Sequence, residues 1–126
     1  MFTNCSSLVS IKIPSSMKEI GIFAFSWCTK LNKLTIEEGV EKIFWQAFYN
    51  CVSLKTVTIP SSVTYIGEEV FAFCTSLSNI IYEGITKPSY GPNVFSYCPS
   101  TLTFSFPNCY KDTDFCGYSV TPVSCN

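Results

Sequence analysis

A cysteine returns along this chain at a nearly fixed interval: Cys5, Cys28, Cys51, Cys74 and Cys98 stand 23, 23, 23 and 24 residues apart. Each follows a phenylalanine by three places (Phe2, Phe25, Phe48, Phe71, Phe95). The first four precede a leucine by three (Leu8, Leu31, Leu54, Leu77). A period of this length marks one short supersecondary unit stacked on copies of itself. One unit cannot bury its apolar side alone, so three or more are needed. Four full periods and a fifth strand within 126 residues meet that need and make one domain.

The unit that starts at Cys51 shows how each coil is expected to fold. Val57 and Ile59 fall on one face of a short strand, with Thr56 and Thr58 on the other. Pro60-Ser61-Ser62 ends that strand, because proline lacks the ladder N–H and serine favours turns. Val63 and Ile66 form a second apolar pair closed by Gly67, and Phe71 and Cys74 complete the circuit in a tight or briefly helical turn. Segments this short are not stable alone. Stacking predicts parallel strands ~4.8 Å apart and an interior built of leucine, isoleucine/valine, phenylalanine and cysteine columns.

The period weakens toward the C-terminus. Tyr82 takes the place of the second isoleucine, residues 84–89 replace the Val-x-x-Ile segment, and the final strand around Leu102, Phe104 and Phe106 shifts its leucine by one. From Pro107 the repeat is gone. Residues 1–107 therefore read as the solenoid and 108–126 as a C-terminal cysteine-containing cap or tail over the last coil, whose apolar edge would otherwise be exposed.

Composition then excludes whole classes of function. There are eight lysines against nine acidic residues, with no arginine and no histidine. Acyl-transfer triads lose their usual base and metal sites their commonest ligand. Bidentate phosphate and guanine recognition is also missing, and no basic excess drives counterion release, so nucleic acid is not an expected partner. No apolar stretch approaches the ~20 residues that span a bilayer, so this segment is not expected to insert in a membrane. Met1 opens in mid-repeat without a basic or apolar leader, which reads as a fragment whose first coil has an unpaired edge.

Isolated motifs dissolve in the repeat. Ser15-Ser16-Met17-Lys18 has the spacing of a serine nucleophile motif, but the equivalent turn two coils later reads Ser61-Ser62-Val63-Thr64. Asp112-Thr113-Asp114 suggests a calcium loop, yet Val123 stands where an EF-hand needs an acid. Without a Cys-x-x-Cys or a histidine, zinc is not expected. Asn4-Cys5-Ser6 is a formal glycosylation sequon beside a position expected to be buried. No catalytic residue, cofactor or metal follows from these residues.

The run from Cys51 to Cys74, Cys-x-x-Leu-x-x-Ile-x-Ile-Pro-Ser-Ser-Val-x-x-Ile-Gly-x-x-x-Phe-x-x-Cys with valine at the first isoleucine, resembles the BspA-like class of leucine-rich repeats found in bacterial and protozoan surface antigens. The resemblance covers roughly residues 1–107; Glu37-Glu38-Gly39 departs from it in place of Pro-Ser-Ser. It implies a right-handed leucine-rich-repeat solenoid, β-rich, with short parallel strands and brief helical or 3-10 turns. It also implies a non-enzymatic module displayed at the cell surface or secreted. Its partner would be a host or extracellular protein or glycan.

Two surfaces could carry recognition. One is the outward face of the main sheet: Ser10, Lys12, Lys33, Thr35, Thr56, Thr58, Asn79 and Ile81. The other is aromatic. The place before each repeat cysteine holds Asn4, Trp27, Asn50, Phe73 and Tyr97, and five places earlier come Ile22 and Trp45. The resembled family tends to put small or polar residues there; large aromatics at exposed turns mark contact surfaces, the alternative being that they fold inward and cover the edge of the core. Trp27, Trp45, Phe73 and Tyr97, with the open first coil, would equally serve self-association of a structural spacer.

The five periodic cysteines are expected as buried thiols. Their Cβ vectors run parallel, so adjacent pairs lie at the wide limit of a disulfide. Cys109, Cys116 and Cys125 lie in a polar segment short of core, where a bridge among them would act as a staple.

Overall fold

The structure, a computed structural model, describes residues 5–125. Phe2, the Asn4 sequon and the Asn4 position of the aromatic row lie outside the described residues. The chain winds as a right-handed β-solenoid with two parallel sheets. Strands β1 (Ser10–Ile13), β3 (Lys33–Ile36), β5 (Thr56–Ile59), β7 (Asn79–Tyr82) and β9 (Thr103–Ser105) form the first. The two-residue strands β2 (Glu19–Ile20), β4 (Lys42–Ile43), β6 (Tyr65–Ile66) and β8 (Ser89–Tyr90) form the second. A hairpin of β10 (Asp114–Phe115) and β11 (Tyr118–Ser119) follows.

Register repeats the sequence period. Leu34 lies beside Val57 and Val57 beside Ile80; Ile59 is matched by Tyr82. In the second sheet Ile20, Ile43 and Ile66 align. Gly67 closes that strand because a Cβ there would stand 2.9 Å from the Trp45 nitrogen of the coil below. Below these rows runs a column of phenylalanines. Phe25, Phe48, Phe71 and Phe95 stack almost parallel, with centroids 5.4, 5.5 and 5.7 Å apart. All four are buried, as are Leu31, Leu54 and Leu77.

The third side of each coil differs from the brief helical or 3-10 stretch expected. Among the described residues there is no helix of either kind. Alternate N–H groups are directed at different partners. Ala24, Ser26 and Cys28 donate to the carbonyls three residues back (Gly21, Phe23 and Phe25), while Phe23, Phe25 and Trp27 donate to Trp45, Ala47 and Tyr49 of the next coil at 3.1, 2.7 and 2.7 Å. The alternation prevents a continuous run of local bonds and makes a third inter-coil ladder. It requires two left-handed residues per coil: Phe23 and Trp27, Gln46 and Asn50, Glu69 and Phe73, Asn93 and Tyr97, with φ between 52° and 62°.

At the C-terminal end the phenylalanine column is covered by other rings. Phe95 meets Phe104 and Tyr118 edge-on at 5.5 and 5.9 Å, and Phe115 lies buried beneath them. The cap is tied back through acids. Asp112 accepts a hydrogen bond from the Lys87 backbone N–H at 2.7 Å, and Asp114 pairs with the Lys87 ammonium at 2.8 Å. Cys109 and Cys125 are joined by a disulfide, while Cys116 is a free, buried thiol.

Candidate functional site

The periodic thiols offer no reactive centre. Cys28, Cys51 and Cys74 are buried and free; Cys5 and Cys98, in the end coils, are only half-buried. Three of these thiols donate to the backbone of the coil below: Cys51 to Phe25 O at 3.2 Å, Cys74 to Phe48 O at 3.4 Å and Cys98 to Phe71 O at 3.2 Å. Burial pushes Cys51 up to about 12 and Cys98 to about 11, and holds Cys74 well above its ordinary value. A thiol kept protonated is a poor nucleophile and metal ligand. Cys116 is likewise raised by burial.

The outward face of the first sheet forms two rows. Ser10 pairs with Lys33, and Thr56 with Asn79 and then Thr103; Lys12, Thr35, Thr58, Ile81 and Ser105 make the second row. Alternation along the strands explains the placement, since Leu34, Ile36, Val57 and Ile59 point inward and are buried. Lys12, Lys33, Thr35 and Thr56 are exposed, and Thr58, Asn79 and Ile81 half-buried. Between the first two strands lies a shallow hollow of about 340 Å³ bounded by Ser10, Lys12, Lys33 and Thr35. Glu37 closes one end: its carboxylate lies 3.1 Å from Lys12 Nζ. The bonds from Lys12 and the Ser15 N–H hold that carboxyl below its usual range.

The aromatic row sits on the third side, at the second left-handed position of each coil. Trp27 and Tyr97 are 49% and 74% exposed, and Trp45, on the preceding turn, 41%. Phe73 is half-buried, with its ring stacked 4.5 Å from Tyr97 and edge-on to Tyr49 at 5.3 Å. Tyr49 also contacts Trp27 at 6.2 Å, so it bridges the gap left by Asn50. The one-column count of the sequence missed Tyr49, because neighbouring columns lean together at the turn. Trp45 belongs to a separate pair with Phe23, 4.8 Å away.

Two lysines of the first-sheet side, Lys30 and Lys55, were also not signalled by the whole-chain charge. Charge counted for each half of the coil would have found them. On the second-sheet side of the first coils, Met17, Ile20, Ile22 and Phe44 line an apolar groove of about 530 Å³.

With three inter-coil ladders, a phenylalanine column and a cysteine column in place, the class of protein is a leucine-rich-repeat solenoid. The chain belongs to the BspA-type leucine-rich-repeat family, whose repeat region matches residues 1–118 in six copies. That match continues past Pro107 through the first residue of β11. The pneumococcal vaccine antigen PcpA has a similar fold, with a TM-score of 0.58 and 21% identity over 81% of this chain. This chain spans 31% of that protein's length. A leucine-rich-repeat protein of T. pallidum aligns with a TM-score of 0.50 and 26% identity, over 80% of this chain and 70% of its own. No curated protein matches the chain.

Proposed function

We propose that this chain is a non-enzymatic recognition module of a cell-surface or secreted adhesin-like antigen, binding an extracellular protein or glycan through an open side of the solenoid. The observation that carries the reading is the row of the exposed Trp27 and Tyr97 and the half-buried Phe73 at left-handed backbone positions. A bulky L-residue there costs roughly 1–2 kcal/mol, whereas asparagine, which stands at Asn50, visits that region readily. Strain retained at exposed positions is characteristic of contact sites. The absence of histidine and arginine and the protonated thiols are consistent with a role without catalysis. The surface location rests on family membership. The test is a screen against arrays of extracellular proteins and glycans, with the Trp27→Ser/Phe73→Ser double variant alongside. Lost binding at unchanged melting temperature supports the reading; binding to nothing on either array overturns it.

A second reading, a structural spacer that self-associates, is favoured by one observation. Met17 and Ile22 are exposed beside an apolar groove. Sedimentation over a range of concentrations separates the two: a strict monomer at high concentration removes the spacer.

A further inference from the structure

Charge is balanced over the whole chain but not over the solenoid. The half-coils from each repeat cysteine to the end of the first-sheet strand are 5–13, 28–36, 51–59, 74–82 and 98–106. They contain Lys12, Lys30, Lys33 and Lys55 and no acidic residue. All nine acids lie on the other turns, the second sheet and the cap. Stacking converts this linear segregation into a spatial one, because equivalent half-coils lie in register on one side.

Lys12 is relieved by Glu37. Lys30, Lys33 and Lys55 are exposed and, among the described residues, have no ion-pair partner. They cluster where adjacent coils turn from the cysteine into β3 and β5, one coil pitch apart at ~4.8 Å per step. Exposed Asn32, Thr56 and Ser78 surround them. The corner is fixed by hydroxyls bonding to the coil before: Ser53 donates to Thr29 O at 2.6 Å and Ser78 to Lys55 O at 3.0 Å. Like charges are thus held together on a rigid frame without the acids that would relieve them.

We infer that this lysine corner binds an anionic glycan, a sulfated polysaccharide running along the solenoid axis across successive coils. The inference rests on the recognition-module reading and names the ligand class for one side of it. A local field of one sign attracts a polyanion whatever the net charge of the chain. Lysine ammoniums act as point charges, which suits sulfate groups of varied orientation without the planar fork of arginine. An acidic peptide fits less well. Protein partners concentrate their binding in aromatic and apolar anchors, and among the described residues of this face the exposed Val9 and the half-buried Ile81 are aliphatic and none is an exposed aromatic. Serine, threonine and asparagine side chains instead offer hydrogen bonds to sugar hydroxyls.

The test is titration of the intact chain with heparin, with fully desulfated heparin and with polyglutamate, at physiological salt. Two triple variants are compared. Lys30→Gln/Lys33→Gln/Lys55→Gln removes the corner, and Lys18→Gln/Lys42→Gln/Lys111→Gln removes the same charge elsewhere. The expected result is heparin binding that weakens about tenfold or more in the first variant and changes less than about twofold in the second, with little affinity for the two other ligands. Equal losses in both variants, equal affinity for polyglutamate, or no heparin binding overturns the site. Because the arrays above judge the recognition-module reading with other ligands, failure here is distinguishable from failure there.

Discussion

Two columns of aromatic rings climb this solenoid with the same period, one inside and one outside, and they do opposite things. The inner column, Phe25 to Phe95, is buried, almost parallel and spaced 5.4 to 5.7 Å. The outer one, Trp27, Tyr49, Phe73 and Tyr97, is irregular in tilt, with centroids from 4.5 to 6.2 Å apart, Trp27 and Tyr97 exposed and Tyr49 and Phe73 half-buried. Only two residues separate Phe25 from Trp27. What divides them is the backbone: Trp27, Phe73 and Tyr97 sit at φ near 60°, which turns the side chain out, while the phenylalanine between two such residues turns in. Periodicity therefore establishes that residues stack, and at Trp27, Phe73 and Tyr97 the left-handed backbone accompanies a ring on the outer side.

The comparison can be broken at its strong end first. Phe48→Ala, in the centre of the inner column, should cost ~3–5 kcal/mol through lost burial and the cavity left behind. A denaturation curve showing a loss below ~1 kcal/mol would place Phe48 outside the core. Reduction of Cys109–Cys125, which closes a 16-residue separation, should remove about 3 kcal/mol from the cap and little from the central coils. Hydrogen exchange before and after reduction would locate the loss; uniform loosening of all coils would contradict a local staple.

The alkaline limb probes the thiol column beside the phenylalanines. Cys51 is raised by burial from 9.0 to about 12, and Cys98 to about 11. The folded chain thus keeps protons that the unfolded chain loses. This stabilisation is whole below pH 9 and disappears as pH rises through 11 to 12, by at most ~1.4 kcal/mol per pH unit for each group. Stability that stays flat from pH 8.5 to 10.5 would show that the thiols are not protected. The smallest effect belongs to the outer column. Tyr97→Asn should leave stability unchanged or raise it by up to ~1 kcal/mol, since asparagine relieves the left-handed backbone. A loss of 2 kcal/mol or more would make Tyr97 a stability device.

Much of this was legible in the residues. The cysteine, phenylalanine and leucine intervals locate the coils, and the Val57/Ile59 against Thr56/Thr58 alternation orients the first sheet. Other features were not. Tyr49 stands one place away from the aromatic position, so no count at fixed spacing selects it. The lysine corner was hidden because Lys30, Lys33 and Lys55 are averaged away in a balanced composition.

By itself the sequence determined the period, and through it the stack, because each short segment can bury its apolar side only against its own copy. The tertiary structure alone decided the third ladder and its left-handed residues. The N–H groups of Phe23, Phe25 and Trp27 find their acceptors at Trp45, Ala47 and Tyr49, and that choice exists only once two coils lie together. It is the same contact between coils that turns one ring of each pair inward and the other toward solvent.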